Sequence, residues 1–469
     1  MNYIIHFFTF IQGLGVSVMM PIILTIIGCL FGAGFSKSLK AGLTVGIGFI
    51  GLNLVINQLL GTTLAPAAQA MVARYGLQLS IVDVGWPASA AIAMGSTIGL
   101  FIIPVGIVVN MAMLVTNTTQ TVDVDIWNYW HFAFTGALVA IVTGNVAYGF
   151  AAAIINMIVV LVIADVTAPY VEKSLGIPDV SLPTAITVCF APIAMIVDWI
   201  CNRIPGVKDI NINVESLQKR FGIFGEPLFI GTVIGIVIGC IAYFNVADIE
   251  GSITKVLSLG VSLGAVLVLI PRMAALLMEG LMPISEAASS FIQQHFKRRG
   301  KIYIGLDSAI GTGHPVTLSM AMILIPFALL LAVVLQVFGN QVLPFGDLAT
   351  ITYMLVLVTP IVGNNGFRGI LSGILLLGVG LLIATYLSPL VTQAALGAGF
   401  DVASAAGNAQ AQISSLCDGA NPLTWIIVLP LQLNPIIGGV ILILMTVALM
   451  IWNRRRILKE AAALHTESD

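Results

Sequence analysis

The chain has 469 residues, of which 58% are apolar and 9% are charged, and its 19 basic residues nearly balance 21 acidic ones. A soluble domain carries about 25% charged residues, so this composition excludes a soluble enzyme, a nucleic-acid-binding protein and a disordered chain. Most of the surface must face lipid. We therefore predict an all-α polytopic membrane protein, because helices satisfy their own backbone hydrogen bonds inside a bilayer.

Apolar runs long enough, or nearly so, to cross a hydrocarbon core of about 30 Å recur along the chain. They cover residues 11–34, 41–60, 88–115, 131–147, 148–164, 182–201, 227–243, 256–278, 315–338, 343–362, 369–387 and 423–452. Several are rich in Gly and interrupted by Pro. These interruptions predict broken helices or re-entrant hairpins rather than simple rods.

Basic clusters indicate which loops are cytoplasmic. They lie at Lys37 and Lys40, and in residues 203–220, 297–301 and 454–459. Placing all four on one side requires one run before residue 203 to be re-entrant or fused with its neighbour. The prediction is then about 11 transmembrane helices, with the N-terminus outside and the C-terminus inside.

Similar segments recur at about half the chain length. Asp125 and Asp347 each lead to a Gly-Asn break, at Asn145 and Asn364, and then to a long apolar run. Asp83 occupies a position resembling that of Asp307. Chance similarity between Gly-rich apolar segments is the alternative explanation. If the repeat is real and each half crosses the membrane an odd number of times, it is an inverted repeat with its substrate site near the midplane.

Polar side chains at bilayer depth are costly, so each is a hypothesis for a functional site. The candidates lie beside Gly or Pro at the ends of apolar runs, and they are Asp83, Trp86, His131, Asn145, Asp307, His314, Asp347 and Asn364. Carboxylates accept hydrogen bonds, amides and imidazole also donate them, and Trp stacks, so the set suits a neutral sugar or polyol. The alternative is that these groups cap broken helices, join the two halves or, for His131, anchor at the membrane interface.

Motifs for other chemistry are missing from the sequence. The five cysteines show no C-x-x-C pair or metal-ligand spacing. There is also no P-loop, no HExxH and no Ser/His/Asp set. We therefore expect no metal site, no cofactor and no covalent catalysis on this chain. Gly42 and Gly46 have the spacing of a close helix-packing face.

Several segments resemble the galactitol-type IIC permeases of the bacterial phosphotransferase system, which are grouped with the ascorbate permeases. The segments are residues 82–87, 124–128 with His131, 219–227, 305–307, Gly313 with His314, and 340–351. The resemblance implies a homodimer in the bacterial inner membrane that takes up a hexitol. It also implies that a IIB subunit, phosphorylated on its own cysteine by IIA, phosphorylates the sugar held in IIC.

This resemblance sets the expected domain organisation. A scaffold would comprise residues 1–75 and 222–296, and a substrate-binding core would comprise 80–200 and 303–452, followed by a cytoplasmic tail, 453–469. The 17 residues after Trp452 are too few for IIA or IIB, so both are expected on separate chains. Whether this subunit counts as an enzyme stays open.

Two mechanisms remain as hypotheses. In the first, the polyol is translocated by IIC and phosphorylated by IIB, with Asp307 as a possible acceptor of the hydroxyl proton. In the second, the chain is an ion-coupled secondary transporter whose carboxylates carry H⁺ or Na⁺. The sequence does not specify which polyol is carried.

Overall fold

The computed structural model describes residues 16–76, 79–176, 178–210, 226–295, 301–407 and 411–467, and these are predominantly helical. The helices up to residue 210 are α1 (Val16–Leu30), α2 (Phe35–Val55), α3 (Ala65–Tyr75), α4 (Trp86–Gly95), α5 (Thr97–Val115), α6 (Tyr129–Thr143), α7 (Val146–Leu175), α8 (Ala185–Val188) and α9 (Ala191–Cys201). The helices after residue 226 are α10 (Pro227–Tyr243), α11 (Ile249–His295), α12 (Ala309–Thr312), α13 (Pro315–Val334), α14 (Ile351–Leu355), α15 (Val358–Ile361), α16 (Gly366–Gly397), α17 (Val402–Ala406), α18 (Pro422–Leu433) and α19 (Pro435–Glu467). A π-helix, Ile56–Leu64, joins α2 to α3, and 3-10 turns cover Ile126–Asn128, Leu335–Phe338 and Leu348–Thr350.

Six helical segments of the described chain are long and apolar enough to cross a membrane. They are Thr97–Val115, Val146–Leu175, Ile249–Leu269, Pro315–Phe338, Gly366–Gly397 and Pro435–Ala462. Shorter apolar helices accompany them, at Ser17–Leu30, Ala185–Cys201, Leu228–Tyr243, Ala275–Ile284, Leu348–Ile361 and Pro422–Leu433. The prediction of an all-α, multi-pass membrane protein is thereby confirmed.

Two of the predicted single spans are each a pair of helices. The predicted span 88–115 is interrupted at Ser96, whose hydroxyl oxygen accepts a hydrogen bond from the Gly99 N–H at 3.0 Å. The span 423–452 is interrupted at Asn434, whose amide oxygen accepts from the Ile436 and Ile437 N–H groups. A side-chain acceptor at a helix start caps the new helix, which is why the chain breaks at these points.

Short parallel strands, which the sequence analysis did not predict, lie at the non-helical breaks. They are β1 (Ile81–Asp83), β2 (Thr121–Asp123), β3 (Val180–Ser181), β4 (Tyr303–Gly305), β5 (Val342–Leu343) and β6 (Gln412–Ser414). One sheet has the order β5-β1-β6 and the other β2-β4-β3. The central strand of each sheet therefore comes from the opposite half of the chain to its two neighbours. Their backbone groups pair with one another, as burial inside a membrane protein requires.

Glycines allow close packing within and between the helices of residues 16–75 and 227–295. A Cβ added at Gly42 would lie 2.6 Å from the Pro21 carbonyl oxygen, and one at Gly280 would lie 2.7 Å from the Ala41 carbonyl oxygen in the other group. The close approach of α1 and α2 confirms the packing role predicted for Gly42. The remaining helices enclose the two sheets, with Tyr129, Trp130 and Phe132 buried at the centre.

Candidate functional site

The first sheet ends in two buried carboxylates, Asp83 as the last residue of β1 and Asp347 after β5. One Asp83 oxygen accepts from the Gly85 N–H at 3.1 Å and the Leu416 N–H at 3.3 Å. The other accepts from the Asp347 N–H at 2.9 Å. This carboxylate therefore joins three loops that are far apart in sequence.

Asp347 holds the same loops from the other side. Its Oδ1 accepts from the Trp86 N–H at 2.7 Å and from the Thr350 hydroxyl at 2.8 Å, and its Oδ2 accepts from the Cys417 N–H at 3.0 Å. Such hydrogen bonds to a charged acceptor are stronger than those between neutral groups. They position Trp86, Thr350 and Cys417 on the wall of one cavity.

The second sheet ends beside another pair of carboxylates, Asp125 and Asp307. Asp307 accepts from the Ala309 N–H at 2.9 Å. The Asn128 amide donates to Asp125 and, at 3.3 Å, to the Thr184 hydroxyl. Thr184 in turn accepts from the Ser308 N–H at 2.9 Å. This network joins the loops after β2, β3 and β4, as Asp83 and Asp347 join those after β1, β5 and β6.

A cavity of about 310 Å³ lies between these two groups of loops. This volume is at the lower end of the range of about 300–1,000 Å³ for small-ligand pockets. Aromatic and polar side chains make up most of its wall, and the lining residues are Trp86, Trp127, Asn128, Trp130, His131, Thr184, Ile186, Ala275, Asp307, Ala309, Thr350, Tyr353 and Cys417. Ala275 belongs to α11, so the cavity lies where the first group of packed helices meets the rest of the chain.

His131 connects the cavity wall to a carboxylate behind it. Its Nδ1 lies 2.6 Å from Oδ2 of Asp418, and both side chains are almost fully buried, at 2% and 0% exposure. The imidazole also stacks on Trp130, with a centroid separation of 3.8 Å. The ring is therefore fixed in both position and orientation.

One group of side chains in the described chain could offer three ligand atoms to a metal, all within 4.8 Å of one another. It consists of Cys417, Asp418 and His131. Two ligands of a tetrahedral zinc ion, each about 2.0–2.2 Å from the metal, lie more than about 3 Å apart. The 2.6 Å contact between His131 and Asp418 is instead the length of a charge-assisted hydrogen bond. The geometry favours a hydrogen-bonded pair over a metal centre.

Three of the predicted site residues, Trp86, His131 and Asp307, line the cavity. Asp83 and Asp347 are buried in the loops behind it. His314 begins α13 and is not part of the lining. The hypothesis that Asp83, His314 and Asn364 share one cavity is therefore not supported by the placement of these described residues.

The two predicted Gly-Asn breaks lie at exposed helix starts. The Asn145 amide oxygen accepts from the Ala147 N–H at 2.8 Å and caps α7. Asn364 accepts from the Ser174 hydroxyl at 2.7 Å and lines a different cavity with Lys173 and Tyr170. Neither amide is part of the lining of the cavity that contains Trp86.

Sequence reasoning missed several residues of the cavity and its support, above all Asn128, Thr184, Tyr353 and Asp418. Asn128 ends the segment 124–128, three positions before His131. Asp418 and Gly419 are followed by Asn421 and Pro422 before an apolar run, which is the same kind of polar helix start as at Asp83. This pattern is the local signal that indicates Asp418, although it does not indicate the partner of Asp418.

An internal ion pair joins α9 to α16. Arg368 Nη1 donates to Asp198 Oδ1 at 2.6 Å, and its Nη2 donates to the Lys208 carbonyl at 2.9 Å. These contacts tie α9 and the segment after it to the start of α16.

Interrupted helices that meet around a cavity lined by aromatic rings and a few polar side chains define the class of membrane permeases for small solutes. The model of the EIIC-GAT family, described as the sugar-specific permease component of the phosphotransferase system, matches residues 9–406. The chain belongs to this family, which confirms the resemblance seen in the sequence.

Two curated relatives match almost end to end. A putative permease IIC component of Escherichia coli K12 is 39% identical over 453 residues, which is 97% of this chain and all of that protein. The galactitol-specific EIIC component of the same strain is 38% identical over 449 residues, covering 95% of this chain and 96% of the relative. The galactitol-specific component of E. coli O157:H7 matches equally well.

Proposed function

We propose that this permease binds a sugar alcohol of the galactitol type, carries it across the membrane and presents it to a separate IIB subunit for phosphorylation. The observation that carries the proposal is the cavity between the two groups of strand ends, since it combines three Trp rings with carboxylate, amide, hydroxyl and imidazole groups. The similarity to galactitol-specific relatives supports the substrate class. IIA and IIB are its expected partners.

The lining suits a neutral, polyhydroxylated molecule. Trp86 and Trp130, whose rings stack 6.2 Å apart, offer flat faces to carbon-bound hydrogens. Asp307 and the Asn128 amide oxygen can accept hydrogen bonds from hydroxyls, since both Asn128 amide hydrogens are already bonded to Asp125 and Thr184. The Thr184 and Tyr353 hydroxyls can donate them. A site of this kind rejects a stereoisomer strongly, because a misplaced hydroxyl leaves a buried group unpaired.

We assign the predicted site residues two different roles. Trp86, His131 and Asp307 contact the substrate, since their side chains line the cavity. Asp83 and Asp347 hold the loops that carry these groups, since their oxygens are occupied by backbone N–H groups. His314, Asn145 and Asn364 form no part of the substrate site in this proposal.

The proposed architecture is an inverted repeat with about 11 crossings and re-entrant hairpins. The exchanged central strands support it: Ile81 pairs with Val342 and Gln412 in one sheet, and Tyr303 pairs with Thr121 in the other. Residues 1–75 and 222–296 form the scaffold, and 80–200 and 303–452 form the moving core. The cavity lies at the boundary between them, where a sliding or rocking movement changes its access.

The C-terminal helix is proposed to end in the cytoplasm. Gln120 connects two of the basic segments, because its side-chain N–H donates to the Lys301 carbonyl and its side-chain oxygen accepts from Arg456. The Lys301 ammonium group also donates to Glu172. A single basic face is typical of the cytoplasmic side.

The outward apolar side chains of α2 and α11, such as Ile47 and Val261, are proposed to contact lipid or the second copy of a homodimer.

The test uses the purified full-length protein. Binding of galactitol, other hexitols and pentitols is measured by calorimetry, with Asp307→Asn as the site variant and the exposed Asp209→Asn as its control. We expect one hexitol to bind, and Asp307→Asn to weaken that binding at least tenfold, about 1.4 kcal/mol, with no change for Asp209→Asn. Failure of every polyol to bind would contradict the proposal.

A second measurement separates the two transport mechanisms. Vesicles containing the protein are loaded with IIA, IIB and a phosphoryl donor, and the internal product is identified. We expect phosphorylated polyol that depends on IIB. Free polyol accumulated in response to an H⁺ or Na⁺ gradient, with no need for IIB, would instead establish the ion-coupled transporter.

A further inference from the structure

The His131 imidazole is held between a buried carboxylate and the cavity. Its Nδ1 contacts Asp418 at 2.6 Å, and the ring also forms part of the cavity wall. Among the described residues, no hydrogen bond to Nε2 is found. The ring thus uses one nitrogen for a partner behind the wall and leaves the other for a ligand.

Chemistry determines which nitrogen carries the proton. An ionised carboxylate only accepts hydrogen bonds, so when Asp418 is ionised the proton of a neutral imidazole lies on Nδ1. Nε2 then has a free lone pair and acts as a proton acceptor. A carboxylate behind the ring also stabilises the imidazolium formed when Nε2 takes a proton.

Asp307 is a second polar group on the cavity wall. Its Oδ1 accepts from the Ala309 N–H at 2.9 Å, which fixes the side chain in place. A carboxylate held in this way can accept a hydrogen bond from a substrate hydroxyl.

We propose that His131 is the general base of the phosphoryl transfer and that Asp418 is its positioning residue. This inference rests on the proposed function. In the step, a hydroxyl oxygen of the bound polyol attacks the phosphorus of phosphorylated IIB, and the new O–P bond forms. The bond from phosphorus to the IIB donor atom breaks, and its electron pair stays on IIB. The hydroxyl proton moves to Nε2 of His131.

Asp418 lies outside the segment matched by the family model, which ends at residue 406. The segment around it is anchored independently of His131, because Leu416 and Cys417 donate their N–H groups to Asp83 and Asp347. A change at Asp418 should therefore act on the imidazole rather than on the path of the loop.

The experiment separates binding from transfer in the full-length protein. Binding of radiolabelled galactitol is measured at equilibrium, and transfer is measured in a single turnover with phosphorylated IIB. The variants are His131→Ala, His131→Gln, Asp418→Asn and Asp307→Asn, and their thermal unfolding midpoints are compared first. General-base catalysis contributes about 10²–10⁴-fold, so both His131 variants should lose about that much in transfer rate. The loss of one substrate contact should weaken binding by no more than about tenfold.

Two further readouts distinguish a base from a structural residue. Added imidazole should restore part of the transfer rate of His131→Ala and none of that of Asp307→Asn. Asp418→Asn should slow transfer about 10–100-fold, the usual effect of removing an orienting partner, and Asp418→Glu should restore part of the rate.

The outcomes are distinct. Equal losses of binding and transfer in the His131 variants, or no response to imidazole, would overturn the assignment. Loss of transfer with retained binding in Asp307→Asn alone would make Asp307 the base. A wild-type protein that binds no polyol and supports no transfer would contradict the proposed function itself.

Discussion

Asp83 and Asp347 each hold the loop that carries the other. The Asp83 carboxylate accepts the Asp347 N–H at 2.9 Å, and the Asp347 carboxylate accepts the N–H of Trp86, three residues after Asp83, at 2.7 Å. The two residues come from opposite halves of the chain. The cavity wall therefore depends on a reciprocal contact between the halves.

Asp347→Asn should destabilise the protein. The carboxylate accepts three hydrogen bonds, and an amide has one oxygen, so at least one buried donor loses its partner. The expected cost is about 1–3 kcal/mol in the free energy of unfolding, seen as a lower thermal unfolding midpoint in detergent. Asp209→Asn, on an exposed side chain, is the control, and an unchanged midpoint for Asp347→Asn would contradict the role given to this carboxylate.

Gly346→Ala should be more damaging than a typical glycine substitution. A Cβ at Gly346 would lie 2.5 Å from both the Asp83 carbonyl oxygen and the Gly85 nitrogen, which are backbone atoms that cannot rotate away. We expect a loss of about 1–3 kcal/mol, as for other overpacked sites, together with weaker ligand binding. Gly397→Ala, where a Cβ meets open space, should leave the unfolding midpoint nearly unchanged. Equal effects of the two variants would argue against close contact of the loops.

The pair Arg368 and Asp198 should show energetic coupling. Their atoms lie 2.6 Å apart, with side-chain exposures of 10% and 24%. A double-mutant cycle of Arg368→Gln and Asp198→Asn, followed by unfolding in denaturant, should give a coupling energy of about 0.5–3 kcal/mol. Strictly additive effects would mean that the contact does not stabilise the folded protein.

Lys301 should make stability fall at alkaline pH. Its ammonium group bonds both carboxylate oxygens of Glu172 at 2.8 Å, and this hydrogen bond is the main cause that raises the pKa of Lys301, with Tyr303 and Asp179 as further charge partners. A raised pKa in the folded state stabilises below the ordinary value of about 10.4, and that stabilisation is lost as the pH rises through the folded value.

The free energy of unfolding of the wild-type protein is compared with that of Lys301→Met at several pH values. Because the pair is partly exposed, with Lys301 at 37%, the difference in unfolding free energy at neutral pH should be no more than about 1 kcal/mol. It should stay constant up to about pH 10 and then shrink. A difference in unfolding free energy that grows as the pH rises would contradict the predicted direction of the effect.

The sequence predicted the helical, multi-pass architecture because long apolar runs leave the backbone no other way to satisfy its hydrogen bonds. It did not predict the strands, since elements such as Val180–Ser181 are too short to show a period of two. It selected Trp86, His131 and Asp307 as polar groups beside breaks. It overlooked Asp418 because the contact with His131 spans 287 positions. Asn145 and Asn364 share the same local pattern, and only the path of the chain shows that they lie outside the cavity.

The exchange of central strands has a consequence for synthesis. Ile81 emerges early, but its partner Gln412 is among the last parts of the chain to be made. At about 5–20 residues per second, the loop with Asp83 must wait on the order of tens of seconds for its neighbours. During that interval the ribosome-attached N-terminal half carries unpaired strand edges in the membrane, so this protein should require protection by the insertion machinery until translation is nearly finished.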